Sequence, residues 1–217
     1  MSKSESRKSQ GAATRRRLLE VAERLFAEQG VGSVSVRAIN TAAGFGPAAV
    51  HYHFDSKERL LEAVLMDLGK GVNDQLIAGA AELAVRPEPP SEEALVAMLT
   101  DPYFELIDAE PERGPRWMNI VCQLANADDD LLWRLARDSL ASVLPQVIRA
   151  FPDAMPERVR LRWNFMSIAI LSLLGSATGL RQRAAAAGLD FRDEVVVFAV
   201  SSVRSLKETP TEKSTVP

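Results

Sequence analysis

A chain of 217 residues with 47% hydrophobic and 25% charged residues has the composition of an ordinary folded protein, which excludes disorder as its main state. Its one cysteine, Cys122, excludes an internal disulfide and a cysteine-built zinc site, and two histidines, His51 and His53, are too few for a histidine-built metal site. The formal net charge of −3 divides unevenly: residues 1–60 carry a net +4 and residues 61–217 a net −7, the pattern of either a polyanion-binding segment on an acidic body or a solvated basic tail.

Met1 to Ala13 carries Lys3, Arg7 and Lys8 among small polar residues, and reads as a flexible basic arm without the apolar stretch of a signal peptide. A first helix is expected over about Thr14–Gln29, with Leu18, Ala22, Leu25 and Phe26 on one face and Gly30 as its stop. Ser35 can cap a short second helix, Val36–Ala43. Gly44-Phe45-Gly46 gives a tight turn, and Pro47 suits the first position of a third short helix running to Phe54. Asp55 and Glu58 have capping-box spacing for a fourth helix, whose apolar stripe is Leu60, Leu61, Val64, Leu65 and Leu68 and which fades near Arg86.

The proline-rich stretch at Arg86–Pro90 breaks the chain, and Ser91 with Glu92 and Glu93 restarts a helix that Pro102 should interrupt and Pro111 should end. Further helices are expected over about Pro115–Ala125, Asp128–Phe151 with a kink at Pro145, Pro156–Ala187 and Phe191–Lys207. Val195, Val196 and Val197 read as a strand in isolation, but Asp190 as an N-cap and the apolar continuation to Leu206 favour helix. Thr209–Pro217 is a second flexible tail. The fold class is therefore all-α.

Two short helices joined by a glycine turn form a helix-turn-helix, whose second helix can enter a DNA major groove. The stretches Val36-Arg37-Ala38-Ile39, Ala42-Ala43-Gly44 and Val50-His51-Tyr52-His53-Phe54-Asp55-Ser56-Lys57-Glu58-Arg59-Leu60 resemble the DNA-binding domain of the TetR (tetracycline-repressor-like) family. The resemblance covers about residues 14–62. Beyond them it is a match of size and helical layout.

That resemblance implies a three-helix DNA-binding domain over 14–62 and a larger helical ligand-binding and dimerisation domain over 63–208. It implies phosphate contacts from Tyr52, His53 and Lys57. By residue type, Arg37 suits the other phosphate flank, His51 faces base edges or backbone, and Ala48, beside Pro47, can touch a thymine methyl. Arg15, Arg16 and Arg17 are either backbone contacts or a solubility feature, and Tyr52 alternatively packs inward. The chain departs from the family's usual residues at Asn40, Phe45, Gly46, Ala48 and His51, which leaves the base contacts open and gives weight to shape readout.

From Trp163 to Leu180 the chain runs eighteen residues without a charge. Asn164 and several hydroxyl residues interrupt it, so a buried helix at a subunit interface fits better than a membrane span. In the family, the last two helices build a four-helix dimer interface, which implies a homodimer and a palindromic double-stranded DNA operator. Phe104, Trp117, Met118, Val121, Cys122, Trp163 and Met166 either line an effector pocket or simply pack the core, with Arg116, Asn119 or Gln123 available to orient a polar group. No phosphate loop, catalytic triad or metal cluster points to an enzyme or a cofactor. The expectation is a cytoplasmic, ligand-responsive regulator, more often a repressor in the family, released by an apolar or amphipathic effector. The alternative is a helical adaptor without sequence-specific DNA binding.

Overall fold

The computed structural model describes residues 3–175 and 177–207, so the expected tail at 209–217 lies outside the described residues. These residues form eleven α-helices and a final 3-10 turn, and no strand occurs among them. Helix α1 spans Lys3–Gln29, α2 Val36–Ala43, α3 Ala49–Phe54 and α4 Lys57–Ala84. The acidic body follows as α5 Glu92–Ala109, α6 Arg113–Asn126, α7 Asp130–Leu135, α8 Arg137–Arg149, α9 Pro156–Gly175, α10 Ala177–Ala186 and α11 Phe191–Arg204. Val195–Val197 is helical, as its flanks require.

Several expected boundaries move, each for a local reason. Helix α1 begins at Lys3 rather than near Thr14, so residues 3–13 of the stretch read as an arm are helical and continuous with it. Helix α3 starts at Ala49, two residues after Pro47, and the residue before it offers no side-chain cap. Helix α4 is capped by Ser56, whose hydroxyl accepts from the Arg59 amide, and not by Asp55, which sits at φ 65° in the sharp junction between α3 and α4. Pro102 lies inside α5 instead of interrupting it, and Pro145 lies inside α8. A mid-helix proline forfeits one backbone hydrogen bond. Pro102 is buried in the packed face of α5, where tertiary contacts can offset that loss.

The stretch expected as one helix over Asp128–Phe151 divides at Ala136 into α7 and α8. That expected over Pro156–Ala187 is described as α9 and α10, on either side of residue 176, which lies outside the described residues. No single helix among the described residues is long and apolar enough to cross a membrane.

Helices α1–α3 and the start of α4 enclose a small core in which Leu18, Ala22, Phe26, Ile39, Val50 and Leu60 are all buried. Helix α4 continues into the body and packs on α5 and α8, while α6 packs on both α1 and α9, and α11 on α5 and α9. The tightest approach lies between α9 and α6. A Cβ on Gly175 would stand 2.9 Å from the Asn119 backbone nitrogen. Glycine at 175 therefore allows the backbones of α9 and α6 to meet within one chain. Because backbone cannot retreat as a side chain can, Gly175→Ala should destabilise the protein by about 1–3 kcal/mol, measured by urea unfolding.

Candidate functional site

Helix α2 is held at both ends. The Ser35 hydroxyl accepts from the Ala38 amide, and Gly44, at φ 79°, closes the C-terminus with its N–H on the carbonyls of Asn40 and Thr41. Glycine takes that left-handed conformation without the Cβ penalty. The first turn of α3 has no cap of its own, so a donor there needs a partner from elsewhere. Asn40 supplies it. Its Oδ1 accepts from the Val50 amide at 3.1 Å, and its Nδ2 donates to the Pro47 carbonyl at 2.7 Å. The side chain is 1% exposed and fixes the angle between the two helices.

On α3, Val50 and Phe54 point into the core, which turns Ala48 and Tyr52 outward. Tyr52 is 83% exposed, so the inward-packing alternative for its ring is excluded. The ring meets His53 edge-on, with centroids 4.9 Å apart. His51 is exposed, and its Nδ1 lies 2.7 Å from the Asp55 carbonyl. A carbonyl only accepts, so Nδ1 is the donor in this hydrogen bond. Arg37, Pro47 and Ala48 are exposed, and His53 is half-buried.

Lys57 is half-buried, and its Nζ donates to the Val31 carbonyl at 2.6 Å, tying the head of α4 to the loop after α1. Two of its three N–H groups are left for a phosphate. The arginine run is partly engaged: the Arg15 guanidinium lies 4.7 Å over the Phe54 ring, and Arg16 pairs with Glu20. Together these residues form one solvent-facing surface of cationic, hydroxyl and imidazole groups around a short exposed helix, which suits a duplex groove flanked by phosphates.

A second feature lies in the body. A cavity of about 120 Å³ is enclosed by α4, α5, α6, α7, α8 and α9. Trp117, Trp133, Trp163, Tyr103, Val121 and Leu99 are among its walls. Gly69 makes room for the Trp117 indole, since a Cβ there would come within 2.7 Å of the ring. That indole donates to the Leu65 carbonyl at 2.9 Å.

Helix α6 joins the two features. Its Arg113 donates to Glu23 on α1 at 2.7 Å and to Asp67 on α4 at 2.6 Å. Burial alone would push the Arg113 guanidinium down; its hydrogen bonds to Glu23 and Asp67 outweigh that and hold it above its ordinary value. Between the cavity-wall residues Val121 and Ala125, Gln123 accepts from the Val31 amide at 3.0 Å and donates to the Phe26 carbonyl at 3.2 Å. The Val31 peptide is thus gripped from both domains, its N–H by Gln123 and its carbonyl by Lys57.

Residues 18–64 match the family model for bacterial regulatory proteins of the tetR family, and residues 97–202 match a tetracyclin repressor-like C-terminal domain. The chain belongs to the TetR family. The transcriptional repressor KstR2 of Rhodococcus jostii is 38% identical over 95 residues, 44% of this chain and 44% of that repressor. The transcriptional regulator UidR of Escherichia coli K12 is 38% identical over 53 residues, 24% of this chain and 27% of the relative. These matches span less than half the length of the curated relatives. Among solved structures, Mycobacterium smegmatis AmtR aligns with a TM-score of 0.58 at 18% identity, covering 91% of this chain and 87% of its own. The SmeT–triclosan complex aligns with a TM-score of 0.58 at 21% identity, covering 94% and 97%. At such identities the likeness is one of fold.

Within this TetR architecture the residues expected to face DNA lie exposed or half-buried on α2, α3, the turn between them and the head of α4, while the expected pocket residues separate. Trp117, Val121 and Trp163 border the cavity, joined by Tyr103 and Trp133. Phe104, Met118, Cys122 and Met166 are buried elsewhere. Phe104 lies under the Arg192 guanidinium at 4.4 Å, and the Cys122 sulfur accepts from Asn126. Residues one apart on a helix face different neighbours, so only one side of α6 can reach the cavity. Gln123, expected as a ligand-orienting group, instead bonds Asn119 and the loop after α1.

Sequence reasoning missed Asn40, Arg113 and Glu23 as positioning residues. For Asn40, the absence of a capping side chain before α3 was the available signal. Asn40→Ala should cost about 1–3 kcal/mol in urea unfolding, and hydrogen exchange at the Val50 amide should accelerate. Arg113→Leu strands Glu23, which is 1% exposed, and should cost about 3–5 kcal/mol; adding Glu23→Leu should recover most of that loss in the same measurement.

Proposed function

We propose that the protein is a ligand-responsive transcriptional regulator that binds a palindromic DNA operator as a homodimer and is released when a small, largely apolar effector enters the body. The observation that carries this reading is the double role of α6. One of its sides, through Trp117 and Val121, borders the cavity, and its polar side chains Arg113 and Gln123 hold α1 and the loop before α2. A ligand that shifts α6 therefore shifts the platform on which α3 rests.

Residues 14–62 act as the reading head, and 63–208 as the sensing and pairing domain. Tyr52, His53, Lys57 and Arg37 contact phosphates, while Pro47, Ala48 and His51 approach base edges. For the homodimer, exposed Leu161 and Phe165 lie one turn apart on α9, and exposed Val197 and Phe198 lie on α11, which packs beside it. Large apolar side chains left in water on adjoining helices suit burial against a two-fold copy. Such a dimer presents two α3 helices to successive major grooves, about 34 Å apart. The effector must favour the released state by a few kcal/mol to empty the operator. Repression is the sign favoured by KstR2, which is a repressor.

Selection of bound duplexes from a random pool tests the reading. Wild type should enrich a palindrome. Tyr52→Ala should abolish the enrichment without loss of fold, because that ring is almost wholly in solvent. Lys57→Ala should weaken all duplexes alike and lower the slope of log affinity against log salt by about one. No enrichment at low salt by folded protein would sink the regulator reading in favour of a helical adaptor.

A further inference from the structure

The cavity in the body specifies the chemistry of what it holds. No Lys, Arg, Asp, Glu or His borders it, so a charged group placed inside would be desolvated without a counter-ion. Its volume, about 120 Å³, is on the scale of the roughly 150 Å³ apolar cavity that accommodates one benzene ring. Its walls bring three indoles and a phenol together, a surface suited to an aromatic face.

The polar groups of the wall can be accounted for one by one. Asn73 donates to the Leu135 carbonyl and accepts from Ser139, whose hydroxyl also reaches the Ala136 carbonyl. Ser167 donates to the Trp163 carbonyl. The Trp117 and Trp133 indoles donate to the Leu65 carbonyl and to Asp128. Asn164 is exposed and reaches solvent at the rim. That leaves Tyr103. Its side chain is buried, yet it takes part in none of the hydrogen bonds of the described side chains. The hydroxyl oxygen is not wholly sealed from solvent, so a partner can reach it from the cavity. Burial also pushes the Tyr103 phenol up to about 12, which keeps the proton on its oxygen at any physiological pH.

We propose that the cavity binds a compact, uncharged, ring-sized molecule bearing one hydrogen-bonding oxygen, and that the Tyr103 hydroxyl is the group that reads this oxygen. The proposal rests on the reading of this cavity as the effector site. It selects a phenol, cyclic alcohol or cyclic ketone over a carboxylate or an amine.

All three tryptophans of the chain border the cavity, so tryptophan emission reports its occupancy directly. The full chain, without DNA, is titrated with p-cresol, toluene and benzoate. p-Cresol should alter the emission saturably, and benzoate should bind on the order of 100-fold more weakly. Tyr103→Phe removes one oxygen from a residue that keeps its shape; it should weaken p-cresol roughly tenfold and leave toluene unchanged. Equal p-cresol affinity in wild type and Tyr103→Phe would overturn the role of Tyr103. Benzoate binding as tight as p-cresol, or no saturable response to either neutral ring, would overturn the ligand class. A palindrome recovered in the duplex selection stands whatever the titration gives. Conversely, p-cresol binding through Tyr103 alongside a failed selection would remove the regulator reading and leave the binding site.

Discussion

The Glu23 carboxylate is almost completely withdrawn from water, and the geometry of the whole chain turns on how that charge is met. An unpaired carboxylate in such a place is intolerable, so its partner must be brought to it. The partner comes from ninety residues away in sequence. Arg113 reaches α1 from the start of α6 and spends another N–H on Asp67 of α4, so a single guanidinium fixes three helices. With those three fixed, Gln123 falls against the loop after α1 and Trp117 against α4. The orientation of the DNA-reading helices relative to the sensing body is set there.

The reading head was legible because its determinants are local. Ser35, Gly44 and the apolar spacing of α2 act within a few residues of one another, and α2 has the bounds they dictate. Tyr52 is outward because Val50 and Phe54 claim the inner side of the same short helix. Asn40 was read only as a departure from a family habit. Its partners lie across a turn, at Pro47 and Val50, and its role is visible only once that turn is folded.

The body was legible in its helices and less so in their breaks. Proline has a definite local penalty, but Pro102 and Pro145 are carried within helices whose packing outweighs it. The cavity wall was half legible. Aromatic and methionine residues identify an interior, but which of them border empty space depends on helix rotation. That separates Trp117 and Val121 from Met118 and Cys122 on the same helix.

The Gln123 bridge also bears on how the protein melts. The Phe26 carbonyl, in the last turn of α1, accepts from the Gly30 amide and takes a second hydrogen bond from Gln123 of α6. Val31, just beyond that helix end, has its amide satisfied by the same residue. If the body loosened alone, the Val31 amide would lose its partner and Glu23 its counter-ion. The DNA-reading head therefore does not persist as an independent thermodynamic unit beneath an unfolded body: heat should remove both in one cooperative transition, although only one of them touches DNA.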